Sequence, residues 1–300
     1  MRIVFAAFSN GLYGGVKKTY EVAEGLFALG HDVVVWAPNG TPEWLDFDIP
    51  IMMKEPSRAD ILVVAPKWPD VQLRKPHKRV CYVGGRRDDV GYDPERSKID
   101  LNVCVSSWVA QIYKHYKCPI SIIPLGFDAN IFRFTQFEKK DRFKICYMPR
   151  KNGFLVDQLM NNLGHYYRNR IKLKPIDGNT EVEVARIMQC SSIFLALSTW
   201  DGFPLPPMEA MLCGALVIGF SAGGGTEYLK SGENFIEING PVSPQPIIND
   251  EILISFSTRL TNALESSNRE IRENALAFAA EYTLEREAKS WEKSLLSVLS

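Results

Sequence analysis

The N-terminal segment most constrains the fold, because it contains the pattern of one complete strand, loop, helix and strand. Residues 2–8 form a short apolar run suited to a buried strand, and a glycine-rich loop follows at residues 11–15. Apolar residues then recur at helical spacing up to Gly30, and residues 33–36 form a second apolar run. Such a βαβ unit requires a parallel sheet that is covered by helices.

The same alternation continues along the chain and predicts an α/β fold of two Rossmann-like, doubly wound domains that face a central cleft. Further strands are expected at residues 61–65, 79–83, 101–105, 143–148, 171–173, 193–197, 216–220 and 235–238, and helices after residue 106, at 181–189, at 207–212 and beyond 246. The polar stretch 136–142 is typical of a linker, so we predict domains at residues 1–133 and 134–283. Ligands of such sheets bind outside the carboxyl ends of the strands.

Composition excludes several classes of protein. The 300 residues include 35 Lys and Arg against 35 Asp and Glu, and 46% of them are hydrophobic. A nucleic-acid binder would show a basic excess, and a disordered chain would have less apolar material. The apolar runs are too short to span a membrane or to form a signal-peptide core. The 6 cysteines have no metal-like spacing, so reduced thiols in a cytoplasmic protein are expected.

Residues 198–214 carry the most informative pattern. Two carboxylates, Asp201 and Glu209, flank a Gly/Pro turn that leads into a predicted helix. The backbone N–H groups of Gly202, Phe203 and Leu205 can donate to hydroxyl or phosphate oxygens there. A carboxylate accepts two hydroxyls at once, as the vicinal diols of a sugar require. The alternative is that both acids only favour the helix N-terminus.

This stretch resembles the E-x7-E signature of retaining, nucleotide-sugar-dependent glycosyltransferases of the GT-B fold, in glycosyltransferase family 4, which includes sucrose, sucrose-phosphate and mannosyl transferases. Residues 215–227 resemble the strand and glycine-rich loop that follow in this family. Residues 14–16 and 30–33 resemble its first βαβ unit, and residues 123–128 resemble its crossover between domains. The resemblance implies that a C-terminal helix, about residues 284–300, packs back on the first domain.

The resemblance also implies roles for single residues. Glu209 matches the acid that binds ribose hydroxyls, and Asp201 matches the acid that binds the transferred sugar, although the family has Glu there. Gly202, Phe203 and Leu205 match backbone donors to the sugar and phosphates, and Gly14 and Gly15 match the loop that approaches the donor phosphate. Taken alone, the two glycines are equally consistent with a plain βα turn.

A departing diphosphate needs cations to stabilise its charge. In the family that the sequence resembles, a pair of such cations follows the first strand of the second domain with the spacing Arg-x4-Lys. Arg150 occupies the Arg position, but Leu155 stands where the Lys would be, so Lys151 is the nearest substitute. The alternative is a pair of solvated surface cations.

The first domain departs from the family in a second place. No His follows its middle strand, where residues 81–89 include Arg86 and Arg87 at the end of a basic run from residue 67. We expect these arginines to contact an anionic acceptor or the donor phosphates. The alternative for the whole run is a solvated face.

The predicted activity is transfer of a sugar from a nucleoside-diphosphate sugar to an acceptor hydroxyl, with retention of configuration and without a metal or other cofactor. The acceptor is expected to be a glycan, a lipid-linked molecule or a small molecule. No nucleic-acid partner is expected. The location is expected to be cytoplasmic, with peripheral contact at the inner membrane face as a further option.

Three alternatives stay open. A non-catalytic nucleotide-sugar-binding protein of the same fold would explain Asp201 and the missing His. A NAD-dependent enzyme is disfavoured, because residues 11–15 do not form G-x-G-x-x-G and no acid ends the second strand. A phosphorylase or glycogen-synthase-like polymerase would need polymer-binding insertions for which the chain has little room.

Overall fold

A computed structural model describes residues 1–75, 77–85 and 92–300. Its contacts divide the chain into two compact units, one of residues 1–126 together with 282–300, and the other of residues 127–281.

The first stretch of the chain, up to residue 126, alternates strands with helices and turns. Its elements are β1 (Arg2–Ala6), α1 (Gly14–Ala28), β2 (Asp32–Trp36), β3 (Ile51–Met52), β4 (Ile61–Val64), β5 (Lys78–Val83), β6 (Leu101–Cys104), α2 (Ser107–Tyr113) and β7 (Ile120–Ile122). Ser106 caps α2, because its side chain accepts a hydrogen bond from the N–H of Val109 at 3.2 Å.

The strands of the first unit form one parallel sheet in the order β3-β2-β1-β4-β5-β6-β7. Ile3 of β1 pairs with Val33 on one side and with Ile61 on the other. The chain therefore moves outward from β1 to β3 and then returns to β4 on the opposite side of β1. This reversal is the topological switch point of the sheet, and loops at the carboxyl ends of β1 and β4 diverge there.

The second unit repeats the alternation. Its elements are β8 (Asp141–Tyr147), α3 (Phe154–Asn162), α4 (His165–Arg168), β9 (Lys172–Pro175), α5 (Glu181–Cys190), β10 (Ser191–Ala196), α6 (Leu205–Leu212), β11 (Leu216–Gly219), β12 (Ile236–Glu237), α7 (Asp250–Glu265) and α8 (Arg269–Ala280). The final helix of the chain, α9 (Leu284–Leu299), belongs to the first unit.

The strands of the second unit also form a parallel sheet, in the order β12-β11-β10-β8-β9. Central strand β10 is buried along its whole length, and Leu195 pairs with Tyr147 of β8. Apolar side chains of β8 and β10 pack with those of α3 and α7 in one core cluster. The predicted α/β class with two parallel sheets is confirmed.

Several elements differ from the sequence prediction. The short strands β3 and β7 and the helix α3 were not expected from the pattern. Helix α6 begins at Leu205 rather than at Pro207, since both of its prolines lie in the first helical turn, where their missing N–H groups cost nothing. The helical C-terminal stretch is interrupted twice, between α7 and α8 and between α8 and α9.

The indole ring of Trp291 anchors helix α9 on the first sheet. Trp291 is fully buried, and its ring lies 5.0 Å from that of Tyr82 and 6.2 Å from that of Phe5. Helix α1 packs closely on α9, because a Cβ at Gly25 would lie only 2.7 Å from the Cβ of Ala288. The lack of a side chain at Gly25 therefore sets the distance between the two helices.

A buried ionic cluster joins the same two helices. The Lys18 ammonium lies 2.6 Å from Oε2 of Glu287 and 2.6 Å from Oε2 of Glu21, and it donates to the carbonyl of Gly126 at 2.8 Å. Glu287 also accepts from the N–H of Gly126 at 2.9 Å. Burial raises the pKa of Glu287, and the nearby Lys18 lowers it only in part. The cluster fixes the end of the first stretch of chain onto α1 and α9.

We predict that Lys18→Met destabilises the protein more than Glu287→Gln does. Lys18→Met removes the cation beside the buried Glu287 carboxylate, at a cost of about 3–5 kcal/mol, whereas Glu287→Gln leaves Lys18 paired with Glu21. Urea unfolding at neutral pH measures both changes. The loss in Lys18→Met should shrink as the pH falls, because the Glu287 carboxylate then becomes neutral.

The exposed pair Lys289 and Glu285, 2.5 Å apart on α9, supplies the control. Lys289→Met should change the free energy of unfolding by less than about 1 kcal/mol. Equal effects of Lys18→Met and Lys289→Met would contradict the role given to the cluster.

A second buried cation, Lys140, caps the C-terminal end of α5 in the second unit. The Lys140 ammonium donates to the carbonyls of Met188 at 3.0 Å, Gln189 at 2.6 Å and Ser191 at 3.1 Å. Met188 and Gln189 lie in the last turn of α5, where carbonyls lack partners within the helix, and Ser191 is the residue that follows it. Burial lowers the pKa of Lys140 from 10.5 to about 8.

We predict that the wild type gains stability relative to Lys140→Met between about pH 8 and pH 10.5. In that range the unfolded lysine is protonated while the folded one is not, so the unfolded state binds more protons and a rise in pH favours folding. The slope should approach about 1.4 kcal/mol per pH unit. Parallel stability curves for the two proteins over this range would contradict the lowered pKa.

Candidate functional site

The site of the second unit forms where β8 and β10 end side by side. Because Leu195 pairs with Tyr147, the loops that follow these two parallel strands leave the sheet at the same edge. One loop carries Arg150 and Lys151, and the other carries Asp201. The structure thus brings together residues that are 50 positions apart in sequence.

Asp201 lies in a loop whose backbone is held on both sides. Its N–H donates to the carbonyl of Ala222 at 2.9 Å, and its carbonyl accepts from the N–H of Gly224 at 3.0 Å. A Cβ at Gly224 would lie 1.8 Å from the carbonyl oxygen of Gly202, so only glycine allows this approach. The loop after β11 therefore fixes the position of Asp201.

The Asp201 carboxylate pairs with Lys151. Its Oδ2 lies 2.7 Å from the lysine Nζ. The two side chains keep 22% and 32% of their surface exposed, so the pair is accessible from solvent. Asp201 and Lys151 neutralise each other in this state, and a ligand that offers a competing anion can separate them.

Arg150 is placed differently from Lys151. Its side chain is exposed, and its Nη2 lies 3.8 Å from the sulfur of Met148. Within residues 1–75, 77–85 and 92–300, it forms no ion pair. Arg150 is thus a cation at the same edge whose charge is not neutralised by a described carboxylate.

Asn152 holds the turn that carries both cations. Its backbone is left-handed, with φ at 58°. Its Nδ2 donates to the carbonyl of Leu197 at 2.9 Å and to Oγ1 of Thr199 at 3.2 Å. Thr199 Oγ1 donates in turn to the carbonyl of Ser243 at 2.7 Å. These bonds connect the turn after β8 to the segment after β10.

Gly153 completes the turn, since a Cβ there would lie 2.5 Å from the backbone of Pro149. The role of Asn152 was not identified from the sequence. The Asn-Gly pair at residues 152–153 is a recognised turn signal, but it does not indicate the partner across the sheet edge.

Glu209 lies on α6, one turn into the helix. It is 5% exposed, so its carboxylate is largely removed from water. The Phe203 side chain is buried between the rings of Phe127 and Tyr228, and therefore only the backbone of Phe203 can contact a ligand. The hydroxyl of Tyr228 donates to the carbonyl of Pro204 and holds the start of α6.

Gly14 and Gly15 are the first two residues of α1 in the other unit. Their helix has no side-chain N-cap and no acid in its first turn. Within the described part of the chain, their N–H groups meet no acceptor. A helix N-terminus in this state attracts an anion. The role of both glycines remains a prediction.

The remaining predicted contacts, Arg86 and Arg87, lie outside the described residues. Among the residues that are described, no group of three or more His, Cys, Asp and Glu side chains is placed to hold a metal ion. Over the same residues, no helix is long and apolar enough to cross a membrane.

Comparison with known proteins gives a family match for part of the chain. Residues 162–275 match the family model for glycosyl transferases group 1. This segment matches the group 1 glycosyltransferases. It includes Asp201, Glu209 and the glycine-rich loop after β11, and it begins after the turn that carries Arg150 and Lys151. The expected resemblance to glycosyl transferases of this group is confirmed.

A curated relative shows the same likeness. The chain is 30% identical over 155 residues to a putative glycosyltransferase 41 of a Sulfolobus islandicus filamentous virus. The match spans 47% of this chain and 46% of the viral protein, so the chain spans about half the length of this relative.

Solved structures of glycosyltransferases share the fold. Anabaena HepE in complex with UDP and glucose has a TM-score of 0.73 at 16% identity, covering 99% of this chain and 100% of HepE. Sucrose-phosphate synthase from Thermosynechococcus elongatus has a TM-score of 0.72 at 12% identity, covering 99% of this chain and 98% of the synthase. The predicted GT-B fold is confirmed by these likenesses.

We predict that Asn152→Ala destabilises the protein more than Asn152→Gly. Both variants lose the hydrogen bonds to Leu197 and Thr199, but only glycine adopts the left-handed backbone without strain, which is worth about 1 kcal/mol. Urea unfolding gives the difference between the two variants.

Asn162→Ala is the matched control, since Asn162 is exposed at the end of α3 and its Nδ2 bonds only to Gln158 of its own helix within the described residues. It should change the free energy of unfolding by less than about 0.5 kcal/mol. Equal stability of Asn152→Ala and Asn152→Gly would show that the left-handed backbone at this position carries no strain.

Proposed function

We propose that this protein transfers a sugar from a nucleoside-diphosphate sugar to an acceptor hydroxyl. The observation that carries the proposal is the Asp201–Lys151 pair, placed beside Arg150 where β8 and β10 end. The group 1 family match over residues 162–275 supports it. Uridine diphosphate sugars are the first donors to test, because the similar HepE was solved with UDP and with UDP-glucose.

In this proposal each side chain has one task. Glu209 binds the ribose hydroxyls of the nucleotide, since a carboxylate accepts two hydroxyls at once. Asp201 binds hydroxyls of the transferred sugar. The backbone N–H groups of Gly202, Phe203 and Leu205 donate to the sugar and phosphates. The N–H groups of Gly14 and Gly15 are the candidate phosphate donors of the first unit.

The Asp201–Lys151 pair changes partners in this scheme. The diphosphate of the donor attracts Lys151 more strongly than one carboxylate does, because it carries more negative charge. The departure of Lys151 frees Asp201 to accept hydrogen bonds from the sugar. Binding of the phosphate and recognition of the sugar are thereby coupled through a single lysine.

The reaction requires stabilisation of the leaving diphosphate. The exposed guanidinium of Arg150, together with Lys151, takes the negative charge that develops as the glycosidic bond breaks. We propose transfer with retention and without a metal, and the leaving phosphate accepts the proton of the attacking hydroxyl. A double displacement with Asp201 as nucleophile is the second route to retention.

The alternative is a protein that binds a nucleotide sugar without turning it over. Asp in place of the first motif Glu is the observation that favours it, because one methylene fewer shortens the reach of the carboxylate. The released nucleoside diphosphate distinguishes the two, since only an enzyme produces it in the presence of acceptor or by slow hydrolysis. Proton NMR of the product then gives the anomeric configuration and tests retention.

Thermal unfolding with UDP-, GDP-, ADP- and dTDP-sugars tests the proposed donor site. We predict that one donor at a hundred times its dissociation constant adds about 2.7 kcal/mol to the free energy of unfolding. Glu209→Ala should abolish this gain, because it removes the carboxylate that accepts the ribose hydroxyls. Glu233→Ala, at an exposed position, should retain it.

The absence of stabilisation by any nucleotide sugar in the wild type would overturn the proposed function. Full stabilisation of the Glu209→Ala variant would instead overturn the role of this one residue.

A further inference from the structure

An aromatic cluster lies at the carboxyl edge of the first sheet, at its switch point. Phe8 follows β1, Trp36 ends β2 and Trp68 follows β4. The Phe8 ring is 5.0 Å from that of Trp36, edge to face, and 5.6 Å from that of Trp68. All three side chains are half-buried. We call these three residues the aromatic platform, and it lies within one unit of the chain.

Hydrogen bonds hold the loops that carry the platform. Asn39 Nδ2 donates to the carbonyl of Phe8 at 3.0 Å, and Asn10 Nδ2 donates to the carbonyl of Asn39 at 3.3 Å. The Trp44 indole donates to the carbonyl of Asn10 at 3.2 Å. The loops after β1 and β2 are therefore joined, and the platform is formed before any ligand arrives.

The polar groups around the platform are mostly acceptors. Asn10 and Asn39 are exposed, and their amide nitrogens are already engaged. Within the described part of the chain, their Oδ1 atoms accept no hydrogen bond, so they can receive hydroxyl donors. The Lys67 ammonium lies over the Trp68 ring, 5.2 Å from its centre, which adds one cation to the platform.

These groups match the two surfaces of a pyranose ring. One face of such a ring presents C–H groups, which lie well against the negative face of an aromatic ring. Its rim presents hydroxyls, which can donate to the oxygens of the Asn10 and Asn39 amides. An acyl or isoprenoid chain would leave the Asn10 and Asn39 oxygens unused. A phosphorylated headgroup would call for several cations, and among the described residues the recorded contacts place Lys67 alone against one of the platform rings.

We propose that the aromatic platform is the acceptor subsite and that it binds a neutral pyranose ring. The inference rests on the proposed glycosyl transfer and adds the chemical class of the acceptor. Its location follows the general rule that ligands of doubly wound sheets bind at the switch point, beyond the carboxyl ends of the strands.

Saturation-transfer NMR on the full chain, with UDP present, tests the proposal. The probes are the methyl glycosides of glucose, galactose, mannose and N-acetylglucosamine at millimolar concentration, with farnesyl phosphate as the lipid probe. At least one glycoside should bind the wild type. Trp68→Ala should weaken this binding about tenfold, because one stacking face is lost, whereas Trp68→Phe should retain most of it.

Tyr166→Ala is the matched control, since Tyr166 is an exposed aromatic residue of the other unit, and it should bind glycosides as the wild type does. Thermal stabilisation by the nucleotide sugar should be the same in Trp68→Ala and in the wild type.

Three results would overturn the proposal: no glycoside binds the wild type, Trp68→Ala binds as well as the wild type, or farnesyl phosphate displaces every glycoside. Failure of the proposed function would be seen separately, as a wild type that no nucleotide sugar stabilises.

Discussion

The parallel ladder between β8 and β10 is the interaction on which the candidate site depends. Parallel strands end at the same edge of a sheet. The register that pairs Tyr147 with Leu195 therefore also sets the distance between the starts of the two loops that follow these strands. A slip of one residue would turn every side chain of a strand to the opposite face. The buried apolar residues of both strands prevent such a slip, and core packing thereby positions the charged pair of Lys151 and Asp201.

Much of this architecture was predictable from the sequence, because it depends on local patterns. Alternating apolar runs and glycine breaks gave the βαβ series, and the spacing of Asp201 and Glu209 around a Gly/Pro turn indicated the site. The short strands β3 and β7 were not predictable, since two or three residues carry no periodicity and become strands only by pairing with a neighbour. The start of α6 at Leu205 depended on the tolerance of a first helical turn for proline.

Contacts between loops that are distant in sequence could not be predicted, for a different reason. Asn152 and Thr199 are 47 positions apart, and their hydrogen bond exists only because two strand ends are neighbours in the sheet. The aromatic platform has the same origin, because Phe8, Trp36 and Trp68 follow three different strands and no local pattern joins them. The pairing of Lys151 with Asp201 likewise required the register of the sheet.

The two departures from the family pattern in the second unit can be understood together. In Arg-x4-Lys the lysine would stand at residue 155, but Leu155 is 2% exposed and faces the core from α3. A lysine there would have to leave the core, so the cation of this chain lies in the turn instead, at Lys151. From that turn Nζ lies 2.7 Å from the shorter Asp201 side chain, which replaces the longer Glu of the family. The turn held by Asn152 therefore places the cation against the acid in this chain, although neither Lys151 nor Asp201 matches the pattern that the sequence resembles.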